Sequence, residues 1–288
     1  MTDVLHDLMT CLDLHEPGPR TDPDRTTPSV PGESPRVLTG TNQQLPHRRL
    51  FGGQLLAQFV RAAHVYAPDR SIKSLHVLFT REGRTDDPVT YFIDPVHLGR
   101  SFGALTVSAR QGERSIATCA ISLHCDEDGP AHQPDHPALS VPEAGDRVEI
   151  ELLPWDTRAI STPDDGDATT DYDLWMRLPG NDSGSRAALL AYASDLHVIA
   201  TALRPFPGID QHGNGRDFTS ATTSHTLWFH HPMPTEGWLL LRHRPALVGH
   251  GRCYGQGDVF GEDGTLVASF AQESLLRFPV GTTPRSRT

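Results

Sequence analysis

Hydrophobic and polar positions along the chain alternate between two periods, and the changes of period mark its elements. Apolar residues at Val4, Leu5, Leu8, Met9, Leu12 and Leu14 recur at helical spacing and predict a short amphipathic helix. Residues 15–46 are polar and proline-rich and read as loop. In LFGGQLLAQFVRAAHVYA (50–67), Leu55, Leu56, Phe59, Val60, Ala63 and Val65 keep a mostly helical period, opened by two glycines. SIKSLHVLFTREG (71–83) and PVTYFIDPVHLG (88–99) are strand-like. Leu105 and Val107 alternate with polar neighbours, Gln111-Gly112-Glu113 is a turn signal, and Ile116 to Leu123 returns as a strand, which predicts a β-hairpin. Residues 126–170 are rich in Pro, Asp, Gly and Thr, interrupted by the apolar patch in LLPWDTRAIS, and read as a long linker that packs in places. A second block starts near Tyr172. LWMRL is a strand, SRAALLAYASDLHVIATALRPF one long and very apolar helix, and TSHTLWFHHP and GWLLLRHRPALV are strands. GRCYGQGDVFGEDGTLVASFAQESLLRF closes the block as a second hairpin.

The two blocks repeat one pattern. Ser74 to Phe79 aligns with Ser224 to Phe229, Gly99-Arg100-Ser101-Phe102 with Gly251-Arg252-Cys253-Tyr254, and the turn at Gly112 with the turn at Gly264. The spacing between aligned positions stays nearly constant over three landmarks, which chance does not produce. The implied unit is a long helix followed by an antiparallel sheet of about four or five strands, each sheet burying one face around its own helix. The fold class is therefore α+β, built twice. The expected division is a helix and loop at 1–46, a first unit at 47–128, a linker at 129–170, a second unit at 171–280 and a tail at 281–288.

Composition narrows the partners. With 288 residues the chain suffices for one large domain or two ordinary ones. The formal net charge of −11 argues against nucleic acid or an anionic membrane as the main partner, though a local basic patch can still hold a small anion. Four scattered cysteines with no C-x-x-C predict neither a disulfide framework nor a zinc site. His230-His231 is no metal pair either, because neighbours on a strand point to opposite faces. The N-terminus has no basic n-region and no long apolar core, and no apolar run is long enough for a membrane span, so a soluble cytoplasmic protein is expected.

One pentapeptide invites a specific chemistry. GRSFG (99–103) has the form G-x-S-x-G, the nucleophile elbow of serine hydrolases. That elbow needs a helix after the serine, but Ser101 leads into the alternating hairpin ALTVSARQGERSIATCAISL. The second block carries GRCYG at the same place, with Cys253 for Ser101. A motif that recurs with its nucleophile replaced is architecture: a glycine-flanked start to a strand.

The segments FGGQLLAQFVRAA, SLHVLFTREG, GRSF, LLAYASDL, HTLWFHHP, EGWLLL and GTLVASFAQESLLR, in this order across a repeat, resemble the acyl-CoA thioesterase II (TesB-like) family. The resemblance covers roughly residues 50–125 and 172–278, and the helix at 1–14 also fits. It implies a double hotdog fold and a hydrolase in which Asp, Thr and Gln hold a water that attacks the thioester carbonyl. The Asp late in YASDL is Asp195, the Thr three residues before the His of H-x-x-W-F-H is Thr222, and the Gln of the last strand's Q-E pair is Gln272. No cofactor is implied. The implied partner is an acyl-CoA substrate, with an acyl-carrier-protein thioester as the other carrier, and a homodimer or larger homo-oligomer is the implied assembly.

The residues themselves agree with that chemistry and leave alternatives open. A thioester carbonyl needs no covalent catalyst when a placed carboxylate can take the proton of water. Asp195 stands among apolar residues, where an ionised carboxylate is expensive unless hydrogen-bonded, and a structural Asp bonded to Ser194 is the plainer reading. Without the family register Thr222 is an ordinary strand residue and Gln272 an edge polar group. Backbone N–H groups at Gly52 and Gly53 are the expected oxyanion donors, a role worth about 3–4 kcal/mol per donor. His76 and His225 are read as equivalent positions on strands leading toward the substrate, against the alternative of structural histidines. Arg100 and Arg252, equivalent across the repeat, and His47-Arg48-Arg49 ahead of the glycine-opened helix are candidates for CoA phosphates, against a solvated surface. The sequence departs from the family pattern at Ser224, at Glu82 in R-E-G, at His97 to Phe102, and at Ser274, which bears on substrate range and CoA affinity. Two rival readings stay open: an acyl-CoA hydratase or dehydratase on the same fold, and a non-catalytic acyl-CoA-binding protein.

Overall fold

A computed structural model describes residues 2–17, 34–46, 48–134, 140–161, 171–279 and 281–282. His47, residues 18–33 of the expected loop, two stretches of the expected linker and positions 283–288 of the tail lie outside the described residues. The chain divides into two compact units, Met1–Ala131 with Ala187–Tyr192, and His132–Arg186 with Ala193–Thr288.

The first unit contains α1 (Thr2–Cys11), β1 (Arg36–Gly40), α2 (Gly52–Tyr66), β2 (Ser71–Phe79), β3 (Val89–Leu98), β4 (Phe102–Gln111) and β5 (Arg114–His124). Its strands lie in the order β1-β3-β4-β5-β2, with antiparallel pairing. The helical stripe of α2 buries Leu55, Leu56, Phe59 and Val60 against all five strands, each such side chain being worth about 1.5–3 kcal/mol. The facing positions Leu75, Val77, Tyr91, Ile93, Leu105, Val107, Cys119 and Ile121 alternate along their strands, as one buried sheet face requires. Gly112 closes the β4–β5 turn at φ 57°, in the left-handed region where glycine has no steric penalty.

In the second unit come β6 (Asp156–Arg158), β7 (Tyr172–Arg177), the two ends of α3 (Ser183–Ser194), whose residues Ala187–Tyr192 belong to the first unit, α4 (Val198–Leu203), β8 (Thr219–Phe229), β9 (Leu239–Gly249), β10 (Arg252–Gly261) and β11 (Leu266–Arg277). Its sheet order is β6-β7-β9-β10-β11-β8. Leaving β6 aside, β7, β9, β10, β11 and β8 repeat the order of β1, β3, β4, β5 and β2, so the duplication extends to topology. Gly264 turns the second hairpin at φ 83°, as Gly112 turns the first.

Three expectations change. The stretch 15–46 holds a strand, β1, paired antiparallel with β3. It is short, its neighbours are proline-rich, and edge strands of five residues leave little periodic signal. The single long helix of the second block is two helices, broken at Asp195–His197, with His197 at φ 67°. The apolar patch in the expected linker forms β6 and buries Leu153, Trp155, Thr157 and Ala159. Nearby, Gln133 grips the second hairpin's turn: its Nε2 donates to the Gly264 carbonyl at 2.9 Å and its Oε1 accepts from the Leu266 N–H at 2.8 Å.

Candidate active site

The helix break sets the position of Asp195. α3 starts under an Asp182 cap that accepts from the Ser185 N–H at 2.8 Å, and it ends at Ser194, leaving Asp195 as the C-terminal cap. His197 then takes a left-handed backbone, which costs a non-glycine residue about 1–2 kcal/mol, before α4 restarts. Packing holds it there: the His197 ring meets Tyr172 edge-on at 5.2 Å and His243 at 5.8 Å between centroids. A carboxylate at the end of a helix faces the negative end of the dipole, so Asp195 depends on hydrogen-bond donors for its charge.

Those donors form a directed chain. Thr222 Oγ1 donates to Asp195 Oδ1 at 2.8 Å. Gln272 Nε2 donates to Thr222 Oγ1 at 3.2 Å and to Ser274 Oγ at 3.1 Å. With both amide hydrogens engaged there, Gln272 Oε1 faces His225 Nδ1 at 2.9 Å, and an acceptor at that distance requires the hydrogen on Nδ1. His225 Nε2 is then the bare nitrogen, and Ser194 Oγ donates to it at 3.0 Å. Each donor from Ser194 through His225, Gln272 and Thr222 thus points toward Asp195. Burial pushes His225 down to about 4, which keeps the ring neutral near pH 7 and the tautomer intact. Asp195, Gln272, His225, Ser194 and Ser274 are all buried, while Thr222 is partly exposed.

Strand register makes the convergence possible. Residues three apart on a regular strand face opposite sides. Between β8 and β11, Glu273 pairs with Ser224 and Ser274 with Thr222, so Thr223 is an extra residue. This bulge brings Thr222 to the same face as His225, and the Thr223 hydroxyl donates to the Glu273 carbonyl at 2.9 Å.

The structure brings together Asp195, Thr222, Gln272 and His225. It adds Ser194 and Ser274, which the sequence marks only as a structural neighbour and as a departure from the family pattern. His225, expected on a strand leading toward the substrate, is 0% exposed, with Nε2 3.0 Å from Ser194 Oγ and Nδ1 2.9 Å from Gln272 Oε1. His76 is exposed on the outward face of β2, with its Nε2 3.2 Å from Ser74 Oγ. It is therefore not the counterpart of the inward His225; a one-residue offset on a strand changes the face. Arg252 is ion-paired with Glu273 at 2.9 Å, and Glu273 points to the opposite sheet face from its neighbour Gln272. Arg49 is paired with Glu82 at 2.9 Å, so that departure from the family pattern supplies a counter-charge. Arg100 and Arg48 are exposed. Gly52 and Gly53 open α2 with no side-chain cap on its first N–H groups, and a Cβ at Gly53 would collide with the Tyr192 carbonyl oxygen and the Phe51 ring. Ser101 precedes a strand, as expected, and its hydroxyl donates to Glu127 at 2.7 Å. Among the described residues no group of three or more His, Cys, Asp or Glu side chains is placed to hold a metal ion, and no helix is long and apolar enough to cross a membrane.

Comparison with known proteins concerns the chain as a whole. Residues 42–124 match the acyl-CoA thioesterase N-terminal domain and residues 125–276 the acyl-CoA thioesterase C-terminal domain. Acyl-CoA thioesterase 2 of Haemophilus influenzae is 32% identical over 268 residues, covering 84% of this chain and 92% of that protein. Human acyl-coenzyme A thioesterase 8 is 27% identical over 276 residues, covering 84% of each. Among solved structures, acyl-CoA thioesterase II TesB2 of Mycobacterium marinum superposes with a TM-score of 0.72 at 24% identity, over 96% of this chain and 99% of that one. A hotdog-fold protein of unknown function from Alicyclobacillus acidocaldarius gives 0.69 at 20% identity, over 96% and 99%. The fold is the double hotdog.

Proposed function

The chain belongs to the acyl-CoA thioesterase family, and on that premise we propose that it hydrolyses acyl-CoA to a carboxylic acid and free CoA through a water activated by Asp195. The observation that carries the assignment of residues is the hydrogen-bond chain ending on Asp195. Asp195 takes a proton from the water as its oxygen bonds to the thioester carbon. Thr222 and Gln272 orient that water, and the 3.2 Å bond between them is the longest of the chain and the one a bound water would share. The tetrahedral intermediate collapses by breaking the carbon–sulfur bond, and the proton held by Asp195 passes to the departing CoA sulfur. Water and thioester are thereby converted to acid and thiol, with no covalent enzyme intermediate and no redox change.

The same reading includes a homodimer or larger homo-oligomer in the cytoplasm, and acyl-CoA rather than an acyl-carrier-protein thioester as the first carrier to test. The deciding experiment measures free-thiol release over a panel of acyl-CoA chain lengths with wild type and Asp195→Asn. General-base loss lowers kcat by about 10²–10⁴-fold in a folded variant. Binding of acyl-CoA without thiol release, or undiminished release by Asp195→Asn, overturns the reading. Hydration of an enoyl-CoA without CoA release favours the hydratase rival.

A further inference from the structure

We propose that His225, held by Ser194, is a positioning residue that decides which end of the Gln272 amide faces Thr222. The inference rests on the assignment of Asp195, Thr222 and Gln272 to the reaction and adds a residue that touches neither substrate nor water. The two ends of a glutamine amide are nearly equal in shape and opposite in hydrogen-bonding sense. In the observed orientation Nε2 faces Thr222 Oγ1 and Ser274 Oγ, and Oε1 faces His225 Nδ1. The Thr222 oxygen is then occupied as an acceptor, and its hydrogen goes to Asp195 at 2.8 Å. Turned over, the amide would present an oxygen to Thr222, and the threonine hydrogen would have a second acceptor competing with the carboxylate. Ser274 does not prevent that turn, because a hydroxyl serves as donor or acceptor equally well.

His225 does prevent it. Its Nδ1–H opposes the observed Oε1 and would clash in polarity with an amide N–H. A neutral imidazole can carry its hydrogen on either nitrogen, and the Nδ1–H form leaves Nε2 as an acceptor. Ser194 Oγ, 3.0 Å from Nε2, satisfies that acceptor by donating to it, so the Nδ1–H form has a partner at both nitrogens. The ring has no freedom to leave: it is 0% exposed and lies nearly parallel to Phe270, 5.9 Å away and inclined by 12°.

Two substitutions and one spectrum test this. His225→Asn keeps an N–H near the place of Nδ1, and His225→Leu removes it at similar size. His225→Leu is expected to lower kcat by roughly 10- to 100-fold with KM for acyl-CoA within about twofold, and His225→Asn to restore most of the loss. Equal loss in the two variants, or wild-type kcat in His225→Leu, overturns the proposal. Without recourse to any variant, ¹⁵N–¹H spectra of the wild-type imidazoles at pH 7, with the His225 ring assigned through correlations to its own backbone, are expected to show the hydrogen on Nδ1. A hydrogen on Nε2 sinks the proposal even where Asp195→Asn behaves as a lost base. An undiminished Asp195→Asn overturns the catalytic assignment instead and leaves the tautomer result standing.

Discussion

Thr222 and His225 stand three residues apart on β8, yet both reach Gln272, because Thr223 bulges out of the ladder between them. The donor chain therefore has one direction only while Thr222 carries a hydroxyl. Thr222→Val removes the hydroxyl that donates to Asp195 and accepts from Gln272, and the loss of a hydrogen bond to a charged group costs about 1.5–3 kcal/mol. The expected outcome is a drop in kcat of about 10- to 100-fold for Thr222→Val, with Thr222→Ser close to wild type. Steady-state thiol release decides it, and equal rates for the valine and serine variants contradict the role given to the hydroxyl.

The break that presents Asp195 is a second place where local cost and tertiary packing oppose each other. His197 adopts a strained left-handed backbone, offset by its contacts with Tyr172 and His243. His197→Ala loses the ring and keeps the strain, whereas His197→Gly loses the ring and removes the strain. His197→Gly is thus expected to be more stable than His197→Ala by about 1 kcal/mol, the reverse of their order inside a helix. Urea midpoints of the two proteins measure this, and alanine above glycine means that the segment is helical in solution.

Much of the fold is legible in the alternation of apolar residues, since Gly112 and Gly264 mark both hairpins and each unit's helix carries its own stripe. The break at Asp195–His197 is not legible, because LLAYASDLHVIATAL reads as helix throughout and the partners that bend it, Tyr172 and His243, lie far away in sequence. The bulge at Thr223 is equally silent, being a property of the pairing with β11. Hence Asp195, Thr222 and Gln272 emerge from the sequence only through resemblance to a family. Ser194 and Ser274 emerge only from geometry, as does the burial of His225 between Ser194 and Gln272.

Acid should destabilise the fold through its buried imidazoles. Burial pushes His225 and His243 down to about 4 and His197 to about 3, the last helped by the neighbouring His243 and Arg204 charges. Because these folded-state values lie below the ordinary 6.5, the unfolded chain binds protons more readily between about pH 4 and 6.5. Stability contributed by the neutral rings is present in full above about pH 6.5 and is lost as pH falls, at up to about 1.4 kcal/mol per pH unit for each ring. Urea midpoints measured from pH 7 to pH 5 are expected to fall steadily, and a flat profile rules out the buried neutral state for these histidines.

Gly257 links the packing of the core to the hydrogen-bond chain that ends on Asp195. On β10 it pairs with Phe270 on one side and His243 on the other, and the Phe270 ring lies across the space a side chain would need. A Cβ at this position would collide with that ring and come within 2.6 Å of the Arg242 carbonyl oxygen, which is backbone and cannot give way. Phe270 in turn stacks on His225. Gly257→Ala is therefore expected to cost about 1–3 kcal/mol of stability, the range for overpacking a close-packed site. By displacing the ring that flanks His225 it should also lower kcat more than KM. Gly112→Ala strains a turn but meets no atoms within 4 Å, so it serves as the comparison: it should lower stability and leave kcat at the wild-type value. Thermal midpoints and thiol-release kinetics on the two variants separate these effects. A Gly257→Ala protein that is destabilised but catalytically unchanged would show that the Phe270 ring does not transmit its position to His225.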